Sequence, residues 1–488
     1  MNSPSVPART QSWNAAMAAS PGPLDLVIAP DAMEGAIPSA LHGSRVLSNG
    51  PGWTRIGDRT AHPFDGHGYV RSFSLRADGS CHLQAEFVKT PSYIAEADAG
   101  HLVHRGFATN AHDAFWKNLK KNVPRNVANT TILRWGDRLL AGWEAGAPYA
   151  LDPETLATRG EELFGGAIDG LATLAHMRKD HAQGRLVLCN IKAGRNTDFT
   201  FREVDSSNAI VATTEATVEG MVFTHDYAMT SSYFILGGNP LRLKPAALAM
   251  SLMGAGTLLT AVSPDKRRPG RLHLIPRGGD GPVRTVTLPG PAFVVHFGNA
   301  FERDGDLIVD ACAFEDFTFG EEFGYGGTDA PFDPARPEAR GPQKLYRITV
   351  PGDSDVATWE LLTPHGVDFP RFHPEHEGVP TPWLFGATRK DTRYSDPFDS
   401  IIGVDLRDTS APNQLWTAPD TVFVGEPLFA PDPEDPAEGH ILALLSDGLG
   451  DRTTLAIFDA ANLAAGPLTR IPFPLLPIAF HGDWLRKG

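Results

Sequence analysis

The chain has 488 residues, 42% of them hydrophobic and 21% charged, and carries a net charge of −15. This is the balance of a globular protein with ample material for a core, and its acidity argues against nucleic acid as a partner, since phosphate binding needs a basic face. Cys81, Cys189 and Cys312 are too few and too scattered for a disulfide framework or a metal motif, and read as buried thiols of a reducing compartment.

Residues 1–22 lack the apolar core of a signal peptide and are expected to form a flexible N-terminal arm or one short helix. No run of 18 apolar residues follows, so no membrane-spanning helix is expected and the location expected is cytoplasmic. From residue 23 onward the chain reads as many short strands. Examples are Arg185–Asn190, Ser232–Leu236, Arg271–Ile275, Leu307–Val309, Lys344–Val350, Ile401–Leu406, Ile441–Leu445 and Leu455–Phe458. Turn pairs punctuate them: Asp78-Gly79, Gly136-Asp137, Asp304-Gly305 and Asp447-Gly448. The 49 glycines and 41 prolines suit a chain with many turns. Helical periodicity is confined to Glu161–Ala175 and Pro245–Val262. The Pro/Asp-rich stretch 328–342 reads as a long surface loop.

No crisp repeat of about 40 residues is visible. Even so, short strands without a linker or a shift in composition suggest one closed all-β body over residues 23–488. A β-propeller fits, because the inner strand of each blade runs beside a central channel.

Four histidines stand in distinct phrases: His176 (AHMRKD), His225 (FTHDYAMT), His296 (VVHFGNAFE) and His481 (FHGDW). They are separated by 49, 71 and 185 residues, spacings that no local zinc motif has. Only a fold that gathers distant segments on one axis could make them a site. Neutral imidazole suits iron, zinc, copper or nickel alike, so the ligand type does not choose the metal.

These phrases, in this order, resemble those of the carotenoid cleavage oxygenase family. The likeness starts at 35–51 (GAIPSALHGSRVLSNGP) and 62–68 (HPFDGHG). It runs through 126–153, the four histidine phrases and 424–431 (VGEPLFAP). It implies a seven-bladed β-propeller with a helical and loop cap over the iron-centre face. It implies Fe(II) held by His176, His225, His296 and His481, with no further cofactor. It also implies three carboxylates that orient imidazoles, at positions matched here by Glu144, Asp368 and Glu426. The family usually has Glu where this chain has Asp368. With one methylene fewer, the hydrogen bond to the imidazole is expected to be shifted or water-bridged. Thr130 matches a residue that crowds one open metal position in some members.

The activity implied is cleavage of a conjugated double bond by O₂ into two carbonyl products. The electron-rich alkene supplies the electrons, so no reductant is needed. Members that cleave hydroxystilbenes or isoeugenol typically place Lys just before the orienting Glu, where this chain has Trp143, and Tyr where it has Phe107. Both grips on a phenol are missing, which favours a carotenoid or apocarotenoid in a tunnel lined by Phe64, Phe107 and Trp143. Cleavage of a stilbene or propenyl phenol to an aromatic aldehyde such as vanillin is the alternative. The fold also hosts an isomerohydrolase of retinyl esters, and a propeller without metal would be a binding module. The apolar stretch 241–262, followed by Lys266, Arg267 and Arg268, is a candidate for peripheral membrane contact. The other reading of it is a buried helix covering one end of the propeller.

Overall fold

The computed structural model describes residues 8–119, 125–315, 343–393, 397–432 and 438–486. Its strands form seven antiparallel blades around one axis, the all-β propeller expected. Blade 1 joins both ends of the chain: Gly482–Leu485 pairs with Arg45–Ser48, which pairs with His67–Leu75 and onward to Cys81–Phe87 and Leu24–Ile28. Pairing the last strand with early ones closes the ring, so no blade is left with a free edge at the seam. Blades 5 and 6 share the 14-residue strand Thr358–Arg371, whose first half ends blade 5 and whose second half starts blade 6.

The strand patterns follow position in the blade. Near the axis both faces of a strand are covered, and Phe293–Arg303 is buried through nine successive residues. At the rim one face meets water, and along Ile210–Val218 exposed residues alternate with more buried ones. Seven apolar clusters fill the wedges between neighbouring blades. Cys81, Cys189 and Cys312 are buried in three different wedges, so none can pair with another.

The eight strand expectations all fall on observed strands. Asp304 and Gly305 take φ of 55° and 89° and make a two-residue hairpin between Arg303 and Asp306. The helix expected over Glu161–Ala175 does not form. Gly165, Gly166 and Gly170 sit at φ of 72°, 91° and 67°, and left-handed backbone breaks a helix. The apolar period there serves a turn-rich segment instead, with Leu163, Phe164 and Ile168 packed in one wedge. Over Pro245–Val262 only Pro245–Leu252 is α-helix, because Gly254 at φ of 78° ends it. Residues 1–22 take the helical alternative over Ala8–Ala18, with Trp13, Ala16 and Met17 buried. The loop read at 328–342 lies outside the described residues.

The cap includes the helices Pro91–Ala99, Phe115–Asn118 and Pro245–Leu252. Arg105 ties it together, donating to Ser251 Oγ at 2.8 Å and to the Gly256 carbonyl at 2.5 Å. Asn118 donates to the Gly254 carbonyl at 3.1 Å.

Candidate metal centre

Strands nearest the axis each bring one residue toward it. His481 precedes Gly482–Leu485 of blade 1, and Thr130 precedes Thr131–Trp135 of blade 2. His176 lies between the short strands Ala172–Thr173 and Arg178–Asp180 of blade 3, and His225 leads into Tyr227–Met229 of blade 4. His296 and Asp368 sit within the axial strands of blades 5 and 6, and Glu426 lies between Val422–Val424 and Leu428–Pro431 of blade 7.

The four imidazoles converge. One ligand nitrogen from each lies within 4.8 Å of all the others, and His176 Nε2 is 3.2 Å from His225 Nε2. Three rings hold a carboxylate on the other nitrogen. His225 Nδ1 is 3.0 Å from Glu144 Oε2, His296 Nδ1 is 2.5 Å from Asp368 Oδ1, and His481 Nδ1 is 2.9 Å from Glu426 Oε1. With Nδ1–H donating outward, each Nε2 turns a lone pair inward. Among the described residues the buried Nε2 of His296 finds no hydrogen-bond partner. Lone pairs this close repel unless a cation lies among them, so the donor set fits a resident metal ion.

The electrostatics differ from ring to ring. Burial pushes His176 well below the ordinary histidine range, reinforced by the other three imidazoles. Burial also takes His481 to about 4, against the pull of Glu426. For His225 burial is outweighed by the Glu144 hydrogen bond and charge, and its pKa rises. Glu426 is held at about 2 despite its burial by Arg371 and His481.

Two cavities meet at the histidines. One, of about 410 Å³, lies against His225, His296 and His481 and is walled mainly by apolar side chains, among them Phe64, Phe107, Trp143, Phe293 and Phe480. Thr130 also faces it, its hydroxyl donating to Asn129 Oδ1 at 3.1 Å. All residues expected to line a tunnel are therefore brought together. Among the described residues, no Lys, Arg or Tyr lines this cavity. The other cavity, of about 510 Å³, reaches His176, His296 and His481 and is the more polar of the two, with Arg178, Asp226, Arg371 and Glu377 in its walls.

One expectation needs amendment. The Asp368 hydrogen bond is direct, neither shifted away nor bridged by water. The axial strand carries a bulge between Asp368 and Arg371, with Phe369 at φ of 52°, and a bulge re-aims a side chain. The sequence reading also passed over the charges of the polar side: Arg178, Asp226, Arg371 and Glu377. For three of them the signal was position: Arg178 two residues after His176, Asp226 one after His225 and Arg371 three after Asp368. His67 is buried against Glu96 and takes no part in the cluster.

A closed propeller with four imidazoles on its axis and an apolar cavity against them defines a metal-centred scaffold for small apolar molecules. The family model described as retinal pigment epithelial membrane protein matches residues 23–486. The chain is 33% identical to apocarotenoid-15,15'-oxygenase of Synechocystis sp. over 469 residues, covering 93% of this chain and 92% of that protein. It is 30% identical to the chloroplastic carotenoid cleavage dioxygenase 7 of Oryza sativa subsp. japonica, over 92% of this chain and 87% of that one. With isoeugenol monooxygenase of Pseudomonas putida it shares 27% identity, over 93% and 94%. A solved structure of the Synechocystis apocarotenoid oxygenase superposes with a TM-score of 0.89 at 30% identity, over 98% of this chain and 99% of that one. The cobalt-substituted form of that oxygenase gives 0.88. This chain belongs to the retinal pigment epithelial membrane protein family, that of the carotenoid cleavage oxygenases.

Proposed function

We propose that this protein is an Fe(II)-dependent dioxygenase that cleaves a conjugated double bond of an apocarotenoid or carotenoid with O₂, giving two aldehydes or ketones. The observation that carries this reading is the apolar cavity ending on three of the four imidazoles, with no Lys, Arg or Tyr among its described lining residues. A cavity of this size falls within the roughly 300–1,000 Å³ of small-molecule sites. A phenol there would depend on the few polar side chains of the lining, such as Thr224, Ser446 and Thr453, and left unpaired would cost about 1–3 kcal/mol. A hydrocarbon chain loses nothing and gains burial.

His176, His225, His296 and His481 would hold the iron, which supplies a redox-active centre for O₂ chemistry when bound. The rest is the work of side chains. Glu144, Asp368 and Glu426 keep each Nδ1–H engaged and so fix tautomer and ring orientation. Phe64, Phe107, Phe293 and Trp143 seat the polyene and exclude water. Thr130 narrows the space beside the cluster. No side chain is needed as a general base, since cleavage moves no proton of the alkene.

The cap offers a surface to lipid. Met250, Leu252 and Met253 are each about half exposed, as are Phe115 and Trp116 on the neighbouring helix. The segment 241–262 is thus proposed to make peripheral membrane contact where lipophilic substrates reside. Among the described residues no helix is long and apolar enough to cross a membrane.

Cleavage of a propenyl phenol is the second reading, favoured by the likeness to isoeugenol monooxygenase over most of both chains. Product analysis separates the two. The protein is loaded with Fe(II), supplied with ¹⁸O₂ and offered an apocarotenal or a propenyl phenol. Labelled aldehyde from the apocarotenal is the expected result, and its mass locates the bond cut. Vanillin alone would favour the second reading, and no labelled product from either would overturn both.

A further inference from the structure

His176 differs from the other three imidazoles. Among the described residues no carboxylate stands within hydrogen-bond distance of its Nδ1; the nearest there is Asp226 Oδ1 at 3.8 Å. Asp226 is 2% exposed, a costly place for a charge unless it is fully partnered. Its partners are specific. Oδ1 accepts from the Tyr227 amide at 2.7 Å. Oδ2 accepts from the Phe297 amide at 2.8 Å and from Arg178 Nη2 at 2.9 Å.

Each partner adjoins a different histidine. Tyr227 is two residues after His225, Phe297 one after His296, and Arg178 two after His176. One carboxylate therefore joins the ligand-bearing strands of blades 3, 4 and 5. Arg178 closes the bracket by donating to the Phe297 carbonyl at 3.2 Å, and its other nitrogen is held by Glu377 at 3.1 Å. Neither Asp226 nor Arg178 touches the apolar cavity; both lie in the wall of the polar one.

We infer that Asp226, with Arg178, is a positioning residue for the metal centre: it sets the spacing of His176, His225 and His296 and supplies the negative charge nearest the one imidazole that lacks a hydrogen-bonded carboxylate. The bracket fixes three ligand backbones within one or two residues of their imidazoles. Second-layer partners of metal ligands typically change affinity by about 10–100-fold when removed.

The inference rests on the four histidines holding metal, and metal content of the unaltered protein tests that separately. Asp226→Asn keeps size and one acceptor oxygen but removes the charge. Chelator competition is expected to show Co(II) bound about 10–100-fold more weakly. The visible Co(II) bands should shift, and KM for an apolar substrate should stay unchanged. Asp226→Glu restores the charge and is expected to recover part of the affinity. Asp226→Asn with unchanged affinity and unchanged Co(II) bands, whatever its melting temperature, would overturn the inference. If Asp226→Asn does not fold, Arg178→Lys opens the same bracket with its charge kept, and unchanged metal affinity and bands there would overturn it equally. An unaltered protein that takes up no metal would instead remove the reading on which the inference stands.

Discussion

His296 Nδ1 lies 2.5 Å from Asp368 Oδ1, and the same oxygen accepts the Phe369 amide at 2.7 Å. The strand's register slips just after Asp368, and a bulge of this kind re-aims a side chain. The carboxylate is fully buried, so the hydrogen bond is shielded from competing water.

Asp368→Ala removes that partner and frees the His296 ring to turn. Metal affinity is expected to fall about 10–100-fold, measured by chelator competition. Asp368→Glu adds a methylene where the contact is already short, and such overpacking costs about 1–3 kcal/mol. It should therefore lower the melting temperature without improving metal retention. Unchanged affinity in Asp368→Ala would mean that His296 is oriented by packing alone.

His225→Ala tests the ligand set itself. His225 stands just before Tyr227–Met229, so its loss removes no strand pairing. Metal content is expected to drop to a small fraction of that of the unaltered protein and turnover by a factor on the order of 100 or more, with the circular dichroism spectrum unchanged. Full metal content with full turnover would show that the assignment is wrong.

Fold class and ligand set were legible because each rests on residues that carry their own signal. Strands such as Lys344–Val350 alternate with turn pairs, and the four histidines sit in recognisable phrases. What stayed hidden depends on partners distant in sequence. The ion pair of Arg178 with Asp226 spans 48 residues and that of Arg371 with Glu426 spans 55; a lone charged residue normally reads as surface. The false helix at Glu161–Ala175 arose because its apolar spacing matches a helix while three glycines in left-handed backbone override it. The bulge at Asp368 leaves no mark on hydrophobic pattern at all.

Trp143 is 7% exposed and lines the apolar cavity beside Glu144. Trp143→Lys would place an ammonium there, able to bind a phenol oxygen. A site with a polar grip discriminates strongly for the substrate that satisfies it. The ratio of kcat/KM for a propenyl phenol over that for an apocarotenal should rise by at least about tenfold. A ratio that does not move would show that the phenol grip lies elsewhere in the cavity.

Acid should destabilise the protein through a second buried cluster, beneath the cap. His67 Nε2 is 2.8 Å from Glu96 Oε2, which also pairs with Arg125, while Glu96 Oε1 accepts the amides of Val103 and His104 at 3.0 and 2.9 Å. Burial takes His67 down to about 4, against the pull of Glu96. Glu96 falls to about 2 because His67, Arg125 and the His104 amide outweigh its burial. Both folded pKa values lie below the unfolded ones. Between pH 6.5 and 4 the unfolded chain binds the His67 proton that the fold refuses, and between 4.5 and 2 it binds the Glu96 proton likewise. Stability contributed above these windows is therefore lost as pH falls, at a limiting slope of about 1.4 kcal/mol per pH unit for each proton. His67→Gln removes the first titration. Its stability at pH 7 should be lower, and its decline from pH 6.5 to 4 shallower than that of the unaltered protein, as read from denaturant midpoints. Parallel curves for the two proteins would show that His67 does not contribute to the acid response.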